Sequence, residues 1–171
     1  MKEVKVRKIQ EGAVVPQPVK GDMYDLTSIE VDLGKQGFLD IAGKLKFDAS
    51  YLEKYKTGDT VHYGVGDVLI VHTGLAMELS EGYFAKCYPR SSTFAKYGLI
   101  LTNSVGVIDH TYKGNNDEWK FVFYATRPGS VTVGERFTQF EIIESTVKNF
   151  TFKEVSNLES EDRGGFGSTD K

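Results

Sequence analysis

The sequence predicts an all-β domain, a jelly-roll-like distorted β-barrel carrying one short helix. Apolar residues recur with period two far more often than 3.6. The apolar segments are short and rich in aromatic and β-branched residues. No run of helices is interleaved between them, as a parallel α/β sheet would require.

Taken in order, Val4 and Val6 alternate with Lys5 and Arg7 as a first strand. Pro16 and Pro18 keep the approach to Gly21 extended, because each fixes its own φ and disfavours helix in the residue before it. The helix is expected over Asp48 to Gly58, "DASYLEKYKTG", with Asp48 capping the start, Gly58 ending it, and Tyr51, Leu52 and Tyr55 on one face. It lies in a polar, glycine-containing stretch, 34–66, that reads as an elaboration on the β core. Tyr83 to Tyr88 is an aromatic-rich strand. The clearest strand is "WKFVFYAT", which puts Trp119, Phe121, Phe123 and Ala125 on one face and Lys120, Val122, Tyr124 and Thr126 on the other. "RPGS" at Arg127 to Ser130 turns the chain, after which "VTVGERFTQFEII" and "NFTFKEV" continue the β pattern.

A chain of 171 residues fits one domain, here a β domain over 1–155 with a flexible tail over 156–171. Twenty-one basic against 24 acidic residues give a net charge of −3, so no global positive field recruits nucleic acid and an anionic ligand must be caught by local clusters. Cys87 is the single cysteine, which excludes an internal disulfide and a multi-cysteine metal site and fits a reducing cytoplasm. No signal-peptide pattern and no membrane-length apolar run is present. His62, His72 and His110 lack metal-ligand pairing and read as surface or loop histidines. No P-loop, nucleophile elbow or paired cysteines occur.

Three arginines lie beside turns or hydroxyls: Arg90 in "YPRSS", Arg136 in "VGERFTQF" and Arg163 in "DRGGFGST". Guanidinium groups next to hydroxyls and freely approached backbone N–H groups suit phosphate oxygens, so together they point to a polyphosphate. "NSVGVIDHTYKG", Asn103 to Gly114, delivers Asp109 at the end of an apolar strand. By itself Asp109 fits an Asx-turn as well as a general base. Asn103 can pair with a planar amide edge, and Tyr112 offers a flat face to a sugar or base; ordinary turn and packing roles fit them equally. The end of the chain, "RGGFGSTDK", costs entropy to order and reads either as a frayed terminus or as a lid.

Five ordered motifs resemble those of the trimeric dUTP diphosphatase (dUTPase) family: "GDMYDL", "YPRSSTFAKYG", "NSVGVIDHTYKG", "VGERFTQF" and "RGGFGST". The resemblance implies a homotrimer that hydrolyses dUTP to dUMP and pyrophosphate, with Mg²⁺ held by the triphosphate and no direct protein ligand. Asp109 would activate the attacking water, and Asp25 would join the catalytic shell, touching the metal through water. Arg90, Ser91 and Gln139 would contact phosphates or the bridging oxygen, and Ser92 and Arg136 would join them in binding substrate. Asn103 would read uracil, Tyr112 would pack under deoxyribose, and Val107 and Ile108 would line the site. Arg163, Phe166, Gly167, Ser168 and Thr169 would form a tail closing over a neighbouring subunit's site.

Motif one departs from the family pattern at Asp22 and Met23, and motif five is shorter between Arg163 and its Gly-Phe pair. After Gly114 the insertion "NNDE" is expected to leave Asp117 and Glu118 in solvent. The nearest alternative is a dCTP deaminase, or a bifunctional enzyme of the same fold, whose proton-moving glutamate aligns with Val122, a residue unable to transfer protons. A non-catalytic nucleotide-binding regulatory protein is the other. The 34–66 stretch is a candidate surface for a protein partner.

Overall fold

The computed structural model describes residues 2–18, 21–35 and 49–162. Its elements in chain order are β1 (Lys5–Lys8), β2 (Tyr24–Thr27), β3 (Glu30–Lys35), α1 (Ala49–Tyr55), β4 (Lys56–Thr57), β5 (Thr60–Tyr63), β6 (Asp67–Glu78), β7 (Tyr83–Pro89), α2 (Thr93–Tyr97), β8 (Leu99–Leu101), β9 (Gly106–Asp109), β10 (Glu118–Ala125), β11 (Gly129–Thr132) and β12 (Arg136–Glu144). The all-β, jelly-roll-like reading holds.

β6 is the spine of the first sheet. It pairs with β10 on one edge, while β3 and then β1 share the other, and β8 extends the sheet beyond β10. Neighbours on both edges and cover over most of its length explain why β6 reads as a nearly continuous apolar run. The second sheet runs β2-β12-β7-β9, and a third, smaller one runs β11-β5-β4. All strand pairs are antiparallel among the described residues.

β10 alternates as its sequence demands: Trp119, Phe121, Phe123 and Ala125 are buried and Lys120 is exposed. Its buried aromatics meet β12 across the core. Trp119 and Phe140 pack edge-on with centroids 5.3 Å apart, and Phe123 meets Phe137 at 6.3 Å.

Three local expectations are corrected. The helix ends at Tyr55 because Lys56 and Thr57 pair with β5, which leaves Gly58, at φ 58, as the first residue of the β4–β5 hairpin turn and not a helix cap. Its apolar face is as expected, with Tyr51, Leu52 and Tyr55 packed against the core; Asp48 lies outside the described residues. "NFTFKEV" forms no strand: a short 3₁₀ turn occupies Val147–Asn149, and Phe150, Phe152 and Val155 are exposed. Finally, "STFAKYG" forms α2, a second short helix closed by Gly98 at φ 68, where a Cβ would sit 2.4 Å from the Arg127 side chain.

Candidate active site

Asp25 on β2 stands opposite Gln139 on β12, which stands opposite Tyr88 on β7. Directly paired residues share a face, so these three lie on the outer face of the second sheet, while Leu26, Phe140 and Cys87 fill the core side. Arg90 follows β7 immediately. Its N–H donates to the Phe137 carbonyl at 2.9 Å, and the Thr93 hydroxyl donates to the same oxygen at 2.8 Å, so β12 fixes the arginine loop. The Arg90 Nε reaches Asp25 Oδ1 at 2.9 Å and the Arg136 Nη1 reaches Asp25 Oδ2 at 2.9 Å. One carboxylate thus holds two guanidinium groups, leaving a net positive cluster with Ser91 and Ser92 exposed beside it. Such a cluster suits phosphate oxygens.

A second group surrounds a cavity of about 600 Å³ lined by Asn103, Val107, Ile108, Asp109 and Tyr112, with Val122 on its wall. The turn before β9 carries Ser104 at φ 60, the one non-glycine residue with positive φ among the described residues. That left-handed conformation is sparsely populated for a residue with a Cβ, and here it sits beside Asn103. Ile108 packs against the core while lining the cavity; Val107 on the other face of β9 is exposed. Asp109 ends β9, exposed, and its Oδ1 accepts the Thr111 N–H at 2.7 Å and the Thr111 hydroxyl at 2.5 Å. The hydroxyl and then the amide of Thr111 hold the Asp109 carboxyl below its ordinary range. Tyr112 donates its hydroxyl to the Glu118 carbonyl at 3.2 Å.

Glu118 contradicts the expectation of a solvated loop residue. Its side chain is 12% exposed, with Oε2 2.9 Å from His72 Nδ1, and its Oε1 accepts the Gly74 N–H at 2.9 Å. Asp117 turns back to accept the Gly114 N–H at 2.6 Å. His72 likewise is not a surface or loop residue. It lies on β6 with Nε2 3.0 Å from Asp32 Oδ2, and its side chain is 13% exposed. Two carboxylate acceptors require both ring nitrogens to donate. Burial opposes that charge, but the Asp32 and Glu118 hydrogen bonds outweigh it and raise the His72 pKa to about 9.

The two groups do not meet within one chain. Asp109 pairs with Phe84 while Gln139 pairs with Tyr88, so the two are offset by four residues, about 13 Å along the strand direction at roughly 3.3 Å per residue, with β7 between them. None of Asp25, Arg90, Arg136 or Gln139 lines the cavity. Arg163, Phe166, Gly167, Ser168 and Thr169 lie outside the described residues.

A family model for dUTPase matches residues 55–170. The chain belongs to the dUTPase family. It is 49% identical over 100 residues to the SPbeta prophage-derived deoxyuridine 5′-triphosphate nucleotidohydrolase YosS of Bacillus subtilis, covering 58% of this chain and 70% of that one. The fold matches a mutant dUTPase of Staphylococcus bacteriophage 80alpha with dUpNHpp at a TM-score of 0.64, with 17% identity and 99% of each chain covered. It also matches a mutant dUTPase from phage phi11 of S. aureus, a structure described as revealing the coordination of a structural Mg(II) ion, at a TM-score of 0.57 and 15% identity over 93% of this chain and 98% of that one.

As a dUTPase-family protein the chain is an enzyme of the nucleotidohydrolase type. Each of the motifs is contiguous in the sequence and so shows without the fold. Three residues with clear roles in the geometry escaped that reading: Thr111, Glu118 and His72. Thr111 sits two positions after Asp109, a spacing that signals an Asx-turn. The pairing of Glu118 with His72 crosses 46 positions and leaves no local signal.

Proposed function

We propose that this protein hydrolyses dUTP to dUMP and pyrophosphate, and that its site is completed between copies of the chain in a homotrimer. The observation that carries the reading is the separation just described: a carboxylate in a pocket with an amide and an aromatic, and a two-arginine cluster on the same sheet face but beyond reach in one chain. A neighbouring copy supplies the missing half.

Asp109 takes a proton from water, the water oxygen bonds to the α-phosphorus, and the bond from that phosphorus to the α,β-bridging oxygen breaks, releasing pyrophosphate. Arg90, Arg136, Ser91, Ser92 and Gln139 bind the phosphate charge as the leaving group forms. Asn103 pairs with the uracil edge, Tyr112 lies against the deoxyribose, and Val107 and Ile108 shape the wall. In the tail over 156–171, Arg163, Phe166, Gly167, Ser168 and Thr169 close over a neighbour's site, distinct from the β domain over 1–155.

No group of three or more His, Cys, Asp or Glu suited to a metal occurs among the described residues, and both Asp25 oxygens are engaged by arginines. This donor set fits Mg²⁺ carried by the triphosphate, with Asp25 in contact only through water. Bound there, the ion would neutralise phosphate charge. The buried lone thiol of Cys87 suits a cytoplasmic setting.

The test is Asp109→Asn, which keeps shape and removes the base. Turnover falls by about 10²-fold or more while a non-hydrolysable dUTP analogue still binds; near-parental turnover would overturn the assignment. Following pyrophosphate and ammonia with each deoxynucleoside triphosphate separates hydrolysis from deamination.

A further inference from the structure

An exposed aspartate at the end of a strand has little to hold its side chain, yet a general base needs its accepting lone pair placed within hydrogen-bond reach of a water. At Asp109 the chain supplies the restraint itself. The peptide wraps around the carboxylate: Tyr112 N–H donates to the Asp109 carbonyl at 3.2 Å, and Thr111 donates both its N–H and its hydroxyl to Oδ1. Among the described residues Oδ2 has no hydrogen-bond partner. One oxygen is anchored twice and the other is left to act.

The two donors differ in meaning. Any non-proline residue at position 111 supplies the amide and makes the Asx-turn. The hydroxyl is a feature of the side chain, and a β-branched residue with few χ1 states holds it in place better than serine would. Thr111 also lines the cavity together with Asp109.

We propose that Thr111 is a positioning residue for the reaction: its hydroxyl, donating to Oδ1 of Asp109, orients the carboxylate so that Oδ2 receives the proton of the attacking water. This rests on the reading of Asp109 as the base.

The charged and titratable groups around Asp109 are His110, Tyr112 and Lys113 on its own turn, Lys86 on β7, Glu81 before β7, and Glu118 and Lys120 on β10. Of these, the His110 charge and then the Tyr112 backbone N–H also pull the carboxyl down, by less than the two Thr111 donors do, and no side chain among them hydrogen-bonds it among the described residues. A hydrogen bond to the ionised carboxylate favours that form, so removing the hydroxyl raises the pKa of the base. The acidic limb of the kcat/KM profile then moves to higher pH.

The experiment compares Thr111→Val, Thr111→Ser and Asp109→Asn on the full-length protein with dUTP and Mg²⁺. For Thr111→Val, kcat falls roughly ten- to a hundredfold through misplacement of the base, KM changes little, and the acidic limb shifts upward. Thr111→Ser, which restores a hydroxyl, recovers most of both. If Asp109→Asn is inactive while Thr111→Val keeps the parental limb and kcat, the positioning role is refuted and the base assignment survives. If Asp109→Asn turns over normally, the base assignment fails first and this inference with it. Should Thr111→Val not fold, judged by thermal melting, Thr111→Ala carries the same readouts.

Discussion

His72 is a cation locked between Asp32 and Glu118, and its titration should be visible in the stability of the whole domain. A group whose folded pKa is raised from an ordinary 6.5 to about 9 contributes stability that is fully present below about 6.5 and is lost as pH rises through 9. Denaturant midpoints should therefore decline across that window, and His72→Gln should flatten the decline; an unchanged slope in the variant would show that the cluster contributes nothing. Cys87 is held in its neutral form instead. Burial alone pushes its thiol up to about 12, so a thiol reagent at neutral pH should label it only at the rate of unfolding, and prompt labelling of the native protein would contradict the burial.

At the level of elements, β12 joins core and site. Phe137 is fully buried between Tyr97 and Phe123, while its carbonyl holds both Arg90 and Thr93. Phe137→Ala should cost about 3–5 kcal/mol by the cavity it leaves, measured by chemical denaturation, and a loss under about 1 kcal/mol would mean the two sheets do not pack as described. The strands themselves were legible where alternation is strict, as in β10, because one wet and one dry face leave a period of two in the string. The end of α1 was not. Gly58 reads equally as a helix cap or a hairpin residue, and only the pairing of Lys56 and Thr57 with β5 chooses. "NFTFKEV" has the propensity of a strand but no partner strand among the described residues, and propensity without pairing makes no sheet.

Over the whole molecule, Asp109 and the arginine cluster share one sheet face without meeting. If copies complete one another's sites, two dead proteins should make a live one. Co-assembly of Asp109→Asn with Arg90→Ala should restore about a quarter of parental activity in randomly mixed trimers, because that fraction of sites draws an intact residue from each partner. Activity no higher than that of either variant alone would place both halves of the site in a single chain.

The sequence alone determined the fold class, the buried face of β10 and the likeness to the dUTPase family, because each is written in a local spacing of residues. The tertiary structure alone decided that Glu118 turns inward to His72, that two arginines converge on Asp25, and that Thr111 adds its hydroxyl to the Asp109 carboxylate. The first two facts depend on which strands pair and in what register, which brings together residues as far apart in the chain as Asp25 and Arg136, 111 positions; the third depends on the side-chain rotamer that the turn after β9 selects. Local spacing carries no record of a partner that distant.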